Sequence, residues 1–281
     1  MGNYFYGWYF KCQNEGDTIA MIPAYHITNQ VKSCSLQVIT PQGSWNVPYP
    51  FSQFRMDRDT IQLGNNRFSK QGCVLDVQGE GLLLRGQLSF GELTPLAYDI
   101  MGPFRYVPFL ECRHSVLSMC HRVDGLLCMN GRELLFDGGT GYLEGDRGRS
   151  FPREYLWTQC CFPEGSLMLS VADIPFCGFR FTGIIGAIRY RGTEYRLATY
   201  LGARAIKIRR GEAVIRQGGM TLTVRRLEDN GSFLAAPVSG DMRRSIRESV
   251  ACRSYYHLRE NGKTVFEHIS TASSFEYEYS Q

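Results

Sequence analysis

Apolar and polar residues alternate with a period of two along most of the sequence, and this alternation restricts the chain to β-structure. The segments SCSLQVI, LRGQLSF and MTLTVRR each place apolar side chains on one face of a strand, in the first case Cys34, Leu36 and Val38. Such runs recur about every eight to twelve residues and end at glycine, asparagine or proline. We therefore predict an all-β chain of antiparallel barrel or sandwich modules, with at most one or two short helices.

The segments between these runs have the composition of hairpin turns. In RENGKTVF, Asn261 and Gly262 separate two alternating runs, as a type I′ turn requires because both central residues need positive φ. LGNNRF and YRGTEY predict two further hairpins. The last alternating run, SFEYEYS, predicts that the C-terminal segment closes a sheet.

One segment, SGDMRRSIRESVA at residues 239–251, favours a helix instead. Asp241 is a suitable N-cap, and Met242, Ile246 and Val250 fall on one helical face. We predict a single short helix at this position.

A chain of 281 residues is long for one domain and suits two. The segment FGELTPLAYDIMGPFRYVPFLE interrupts the alternation with Pro95, Pro103 and Pro108. We predict an N-terminal module over residues 1–110 and a C-terminal module over 111–281.

Composition and motifs argue against several classes of function. A formal charge of +4 is too small for the basic footprint that nucleic-acid binding requires. No run approaches the roughly 20 apolar residues of a membrane-spanning helix, and the N-terminus does not have the pattern of a secretory signal, so we expect a cytoplasmic protein. The sequence has no GxSxG, P-loop, dinucleotide-binding or HExxH motif, so it gives no basis for a hydrolase, kinase or dehydrogenase.

The ten cysteines contain no CxxC pair, and we expect reduced thiols that are mostly buried. Cys112, Cys120 and Cys128 recur every eight residues with His114 and His121 nearby, which leaves a zinc site as an alternative to core packing. Because the short paired spacing of zinc ligands is absent, we predict no metal.

The segment GYLEGDRG carries the most distinctive chemistry. Strand alternation places Tyr142, Glu144 and Asp146 on one face. Two adjacent carboxylates do not both ionise easily, so one of the two keeps its proton near neutral pH. The alternative, which composition alone favours, is a surface strand whose acids pair with Arg147, Arg149 or Arg153.

Other polar and aromatic residues are candidates for lining a cavity. Trp157 and Gln159 share one face of YLWTQCCF, although core packing explains Trp157 equally well. Glu111 and His114 are polar groups in an apolar run, where a histidine is more often a hydrogen-bonded core residue than a base. Trp8 belongs to an aromatic first strand.

Four stretches together resemble the tocopherol cyclase-like family. They are GWYFK at residues 7–11, MGPFRYVPFLE at 101–111, GYLEGDRGRSFPREYLWTQCCF at 141–162, and APVSGDMRRSIRESVACRSYYHL at 236–258. The resemblance implies two lipocalin-like modules in tandem, a fold shared with carotenoid hydratases. Plant and cyanobacterial members close the chroman ring of vitamin E.

The resemblance also implies a chemistry that needs no redox cofactor. An acid protonates a prenyl double bond, and a phenol oxygen captures the resulting cation. Residues that match the family motifs are Gly7, Trp8, Tyr9, Lys11, Tyr142, Glu144, Gly148, Phe151, Pro152, Trp157 and Gln159. Arg147 stands where family members usually carry a tryptophan, and a cation beside Asp146 lowers the pKa of that carboxyl, which leaves Glu144 as the better proton donor.

We therefore predict an intramolecular lyase or isomerase that cyclises or hydrates an isoprenoid or prenylquinol. Its catalytic residues are Glu144 and Asp146, and its substrate-binding residues are Trp8, Tyr142, Phe151, Trp157, Gln159, Glu111 and His114. We expect no cofactor, an apolar small molecule as partner, and peripheral membrane contact for substrate access. The alternatives are a non-catalytic lipocalin-like protein that binds an apolar molecule, and an interaction protein whose cavity is filled by side chains.

Overall fold

The computed structural model describes residues 2–57, 59–108, 110–176, 178–228 and 231–280. Most of them lie in antiparallel strands that form two sheets. This described part contains no α-helix, only 3₁₀ turns at Phe51–Gln53, Gly102–Tyr106 and Thr199–Leu201. Among the described residues, no helix has the length and hydrophobicity that a membrane crossing needs. The predicted all-β class is confirmed.

The first sheet has twelve strands. They are β1 (Tyr4–Gln13), β2 (Thr18–Thr28), β3 (Val31–Thr40), β4 (Gly43–Tyr49), β5 (Phe54–Met56), β6 (Thr60–Leu63), β7 (Asn66–Ser69), β8 (Gly72–Gly79), β9 (Leu82–Phe90), β10 (Cys112–Met129), β11 (Arg132–Leu135) and β12 (Gly139–Gly148). Their order is β4-β3-β2-β1-β12-β10-β9-β8-β7-β6-β5, and β11 pairs with β10. The last strand of this sheet therefore lies between β1 and β10.

The second sheet has ten strands. They are β13 (Tyr155–Phe162), β14 (Gly165–Phe176), β15 (Phe179–Tyr190), β16 (Thr193–Ala198), β17 (Arg204–Arg209), β18 (Glu212–Gln217), β19 (Met220–Arg226), β20 (Ser232–Val238), β21 (Asp241–Glu260) and β22 (Lys263–Tyr277). Their order is β16-β15-β14-β13-β22-β21-β19-β18-β17, and β20 pairs with β21. In both sheets, the first strand pairs with the last.

Each sheet encloses an apolar core on one of its faces. Leu36, Phe10 and Phe68 belong to the first core, and Leu222 and Phe275 belong to the second. Both halves of the first sheet contribute to a single core, so that sheet curves around it. The faces predicted from alternation are confirmed, since the predicted inward residues of three strands are core residues, namely Cys34, Leu36, Val38, Leu84, Leu88, Leu222 and Val224.

The predicted hairpins are confirmed by strand register and backbone angles. Asn261 and Gly262, with φ of 51° and 80°, join Glu260 to its partner Lys263. LGNNRF and YRGTEY also form hairpins, between β6 and β7 and between β15 and β16. The C-terminal run lies in β22 as far as Tyr277, and β22 pairs with both β13 and β21.

The predicted helix over residues 239–251 is wrong, because residues 239–240 form a turn and the rest of the segment belongs to the long strand β21. The spacing of Ile246 and Val250, four residues apart, fits one face of a strand as well as one face of a helix. The alternation continues in the buried residues Cys252, Tyr256 and Leu258. Pairing of β21 with β20 and β22 therefore determines the conformation of this segment and overrides its local helix propensity.

The chain forms two compact units that interleave along the sequence. The first comprises Met1–Pro95, Cys112–Phe151 and Leu234–Ser245, and the second comprises Leu96–Glu111, Pro152–Phe233 and Ile246–Gln281. The chain thus passes between the units five times. The predicted boundary after residue 110 lies next to one of these passages, the one between Glu111 and Cys112. The strands β10 and β12, which follow residue 110, belong to the first sheet.

His26 on β2 should make stability depend on pH. Its ring is 4% exposed, and neither ring nitrogen has a hydrogen-bond partner among the described residues. Burial lowers its pKa from 6.5 to about 4, although the charge of Asp241 opposes this shift. The unfolded chain therefore binds more protons between these pH values, so stability falls as the pH falls. This histidine accounts for a loss of roughly 3 kcal/mol, and His26→Phe should remove that loss in urea unfolding at pH 7 and pH 4.

His257→Phe is the matched control, because His257 lies on the outer face of the second sheet and bonds through its Nε2 to Thr264. This variant should keep the full loss of stability on acidification. His121, whose pKa burial also lowers to about 4, remains in both variants. Equal losses in wild type and His26→Phe would show that His26 is not a source of acid sensitivity.

Candidate functional site

A cluster of buried polar side chains lies on the face of the first sheet opposite its apolar core. β12 supplies Tyr142, Glu144 and Asp146 from alternate positions, and β10 supplies His114. In the strand register His114 is directly opposite Asp146. The predicted shared face of the three β12 residues is confirmed, because the intervening Leu143 belongs to the core. We call these four residues the acid cluster.

His114 lies between the two carboxylates and contacts both. Its Nδ1 lies 2.8 Å from Asp146 Oδ1, and its Nε2 lies 3.0 Å from Glu144 Oε2. The first contact is a hydrogen bond, whereas the second has an ion-pair distance without the direction of a hydrogen bond. Both ring nitrogens face acceptors, an arrangement that suits the doubly protonated imidazolium.

Glu144 makes its polar contacts through one oxygen. Its Oε2 faces His114 and accepts a short hydrogen bond from the hydroxyl of Tyr142. Among the described residues, Oε1 has no hydrogen-bond partner. If Glu144 is protonated, a proton on Oε1 leaves Oε2 free to accept the hydrogen bond from Tyr142 and to face the charge of His114. The oxygen that can release a proton is thus separate from the oxygen that is held in place.

Burial and charge together set the protonation of the cluster. The side chains of His114, Glu144 and Asp146 are 9%, 5% and 22% exposed. Burial alone lowers the pKa of His114, but the two carboxylates outweigh it and hold that pKa well above its ordinary value. Burial raises the pKa of Glu144, and the nearby His114 offsets only part of the rise. A protonated Glu144 beside an ion pair of His114 and Asp146 agrees with the raised pKa of Glu144 and with the raised pKa of His114.

The same residues form a set of metal-ligating groups. One ligand atom each from His114, Glu144 and Asp146 lies within 4.8 Å of the others. Each nitrogen of His114 already faces a carboxylate, so a cation ligated by the imidazole would displace one of these contacts. The donor set therefore suits proton storage better than metal ligation.

The zinc alternative based on cysteines does not fit the structure. Cys112, Cys120 and Cys128 all lie in β10, and Cys128 is exposed. Sixteen residues of extended strand separate the first from the last by roughly 50 Å. These three thiols therefore cannot surround one ion.

The other predicted site residues are distributed over both units. Trp8 is buried in the core, on the opposite face of β1 from the acid cluster. Phe151 packs edge-on against Phe5, with ring centroids 5.4 Å apart. Three predicted residues belong to the second unit, namely Glu111, Trp157 and Gln159. Their roles in substrate binding stay predictions.

Two residues that share the face of the acid cluster match the family motif but were not among the predicted site residues. Tyr9 and Lys11 on β1 are the register partners of Glu144 and Tyr142. Both are buried, and Lys11 is only 1% exposed. A lysine that continues an aromatic strand was the available signal, because alternation places Lys11 and Tyr9 on one face and Trp8 on the other.

Arg147 does not have the role that the sequence suggested. It is exposed and lies on the other face of β12 from Asp146, in the direction of Tyr4 and Tyr25. The cation beside Asp146 is the imidazolium of His114. The departure from the family motif at position 147 therefore leaves the acid cluster intact.

The second unit contains a similar buried pair of tyrosine and glutamate. The hydroxyl of Tyr155 on β13 donates a short hydrogen bond to Glu276 on β22. Glu248 on β21 is the register partner of Glu276 and is 1% exposed. This pair was not predictable from the sequence, because its members come from strands far apart in the chain.

No protein-family model and no curated protein sequence matches the chain. Solved structures do match it over nearly its whole length. An AttH-like protein from Nitrosomonas europaea shares 10% identity at a TM-score of 0.57, covering 100% of this chain and 93% of that one. Kievitone hydratase from Nectria haematococca shares 12% sequence identity at a TM-score of 0.58, and the match covers 98% of this chain and 89% of that one. CghA, solved with Sch210972, shares 10% sequence identity at a TM-score of 0.61, and the match covers 99% of this chain and 89% of that one.

The chain has the fold of these proteins. At this level of identity, the likeness concerns the fold alone. It agrees with the predicted tandem of lipocalin-like β modules. None of these matches is a tocopherol cyclase, so that more specific resemblance stays a prediction.

Proposed function

We propose that the protein catalyses the acid-dependent hydration or cyclisation of a carbon–carbon double bond in an apolar, prenylated substrate. The observation that carries this proposal is the buried Glu144, whose Oε2 contacts Tyr142 and His114 while its Oε1 has no hydrogen-bond partner in the described part of the chain. Kievitone hydratase, a protein of the same fold, is named for a hydration. That name supports the reaction class, whereas the residues of this chain support the assignment of roles.

The reaction begins with proton transfer from Glu144. The proton on Oε1 goes to the less substituted alkene carbon, whose π electrons form the new C–H bond and leave a tertiary cation. The carboxylate formed on Glu144 is stabilised by the imidazolium of His114 and the hydroxyl of Tyr142. The low exposure of the cluster strengthens these interactions and limits capture of the cation by bulk water.

The second step returns the proton to the enzyme. In a cyclisation, a phenol oxygen of the substrate bonds to the cation and loses its proton to Glu144. In a hydration, a water molecule attacks and loses its proton to the same carboxylate. Glu144 ends protonated in both cases, so the cycle consumes no proton and needs no redox cofactor. Asp146 stabilises the charge of His114 throughout.

An isotope experiment tests this reaction class. The purified protein is incubated in D₂O with a prenylated quinol, and the products are analysed by mass spectrometry. We expect one non-exchangeable deuterium per product, because the former alkene carbon receives a solvent-derived proton. In H₂¹⁸O, a hydration product gains the heavy oxygen and a cyclisation product does not.

A different result would support the binding protein instead. A quinol that co-purifies or binds without gaining carbon-bound deuterium during long incubation indicates a lipocalin-like carrier. The same incubation without protein corrects for uncatalysed addition.

A further inference from the structure

The outer face of the second sheet, across β17, β18, β19, β21 and β22, carries a concentration of positive charge. Strand register aligns its side chains in three rows. The rows are Arg204, Arg216, Thr221, Arg259 and Thr264; then Lys207, Val214, Thr223, His257 and Glu267; and finally Arg209, Glu212, Arg225, Tyr255 and Ile269. We call these fifteen residues the basic face, and all of them belong to the second unit.

The basic face holds most of the charge imbalance of the chain. It has six arginine or lysine residues and two glutamates, a net formal charge of +4, which equals that of the whole sequence. Lys207 and Arg225 pair with Glu212, at 2.7 and 3.4 Å. Among the described residues, Arg204, Arg209 and Arg216 form no ion pair, and all three are exposed. Three arginines are therefore available to an external anion.

Exposed apolar side chains accompany these cations. Ile269, in the third row, is 49% exposed, and Ile206, on the edge strand β17, is 53% exposed. Ile206 is the extra residue of a bulge between Ala205 and Lys207, so it departs from the regular alternation of the strand. Isoleucines among cations are typical of surfaces that enter the interface of a lipid bilayer.

We propose that the basic face docks on an anionic lipid bilayer. Four strands, β17, β18, β19 and β21, present the cations over a width of roughly 15 Å, as an extended anionic plane requires. A bilayer is also where the apolar substrate of the proposed reaction dissolves, so this one argument rests on the proposed function. Nucleic acid suits the face less well, because sheet surfaces that bind RNA stack bases on several aromatic rings, and the three rows contain only Tyr255 and His257.

Vesicle co-sedimentation tests the proposal with the full chain. Wild type should bind equimolar phosphatidylcholine and phosphatidylglycerol vesicles more strongly than phosphatidylcholine alone. Binding should weaken as the salt concentration rises from about 0.1 to about 0.5 M. The triple variant R204Q/R209Q/R216Q should bind anionic vesicles roughly 100-fold more weakly, at about fivefold for each cation removed.

The matched control is K32Q/R55Q/R67Q, which removes the same charge from exposed positions of the first unit and should bind as wild type does. Circular dichroism and the unfolding midpoint verify that both variants are folded. Equal losses in the two variants, equal binding to neutral vesicles, or tighter binding to an RNA or DNA oligonucleotide than to anionic vesicles at the same salt would overturn the proposal. Vesicle binding requires no turnover, so its outcome is distinct from that of the isotope experiment.

Discussion

Replacing Glu144 with glutamine should lower the rate of deuterium incorporation into a prenylated quinol by about 1000-fold or more. Glutamine keeps the size of the side chain and an oxygen that accepts from Tyr142, but it has no acidic proton to transfer. General acid catalysis accounts for roughly 10²- to 10⁴-fold in rate, and protonation of the alkene has no other donor in the proposed reaction. The measurement is the initial rate of product formation by mass spectrometry at neutral pH.

Two controls separate this effect from general damage. Glu133→Gln makes the same chemical change at an exposed position on β11, and Arg147→Gln removes the charge that the sequence placed beside Asp146. Both variants should keep the wild-type rate. Wild-type activity should also decline as the pH rises through the raised pKa of Glu144, because the ionised carboxyl cannot donate. A Glu144→Gln variant as fast as wild type would remove the assignment of this residue.

Replacing His114 with leucine should destabilise the fold by about 3–5 kcal/mol at neutral pH. The substitution leaves Glu144 and Asp146 near each other without the cation between them. Removing one partner of a buried ion pair leaves an uncompensated charge or forces a carboxyl to bind a proton. The free energy of unfolding from urea titration measures the effect.

The pH dependence of this loss follows from the direction of the histidine shift. His114 has a raised pKa in the folded protein, so its contribution is fully present below the unfolded value of 6.5 and is lost as the pH rises through the folded pKa. The difference between wild type and His114→Leu should therefore narrow in alkaline solution. His257→Leu, on the outer face, should lose less than about 1 kcal/mol. A His114→Leu variant as stable as wild type at pH 7 would show that the imidazole is not an ion-pair partner.

Much of the local structure was predictable because a strand repeats every two residues. Alternation alone located β3, β9 and β19 and gave their inward faces. It also placed Tyr142, Glu144 and Asp146 together, since that grouping depends on one strand only. The turn at Asn261 and Gly262 was predictable for a similar reason, because its backbone angles depend on two adjacent residues.

Features that depend on strand pairing were not predictable. His114 and Asp146 are 32 residues apart, and their contact depends on the register of β10 against β12, which bulges shift beyond Val116. The first part of β21 was mistaken for a helix, because apolar residues four positions apart share a face in a strand as well as in a helix. The interleaving of the two units depends on which distant strands pair. The two-residue alternation identifies strands, but it does not determine their pairing partners.

The central claim is that Glu144 holds a proton at neutral pH inside the folded protein. Infrared difference spectroscopy of wild type against Glu144→Gln in D₂O tests it directly, because a protonated carboxyl has a carbonyl band separate from that of a carboxylate. We predict that wild type at neutral pH shows a carboxylic-acid band that the variant lacks. A difference spectrum that contains only the loss of a carboxylate band would contradict the account, because an ionised Glu144 has no proton to give.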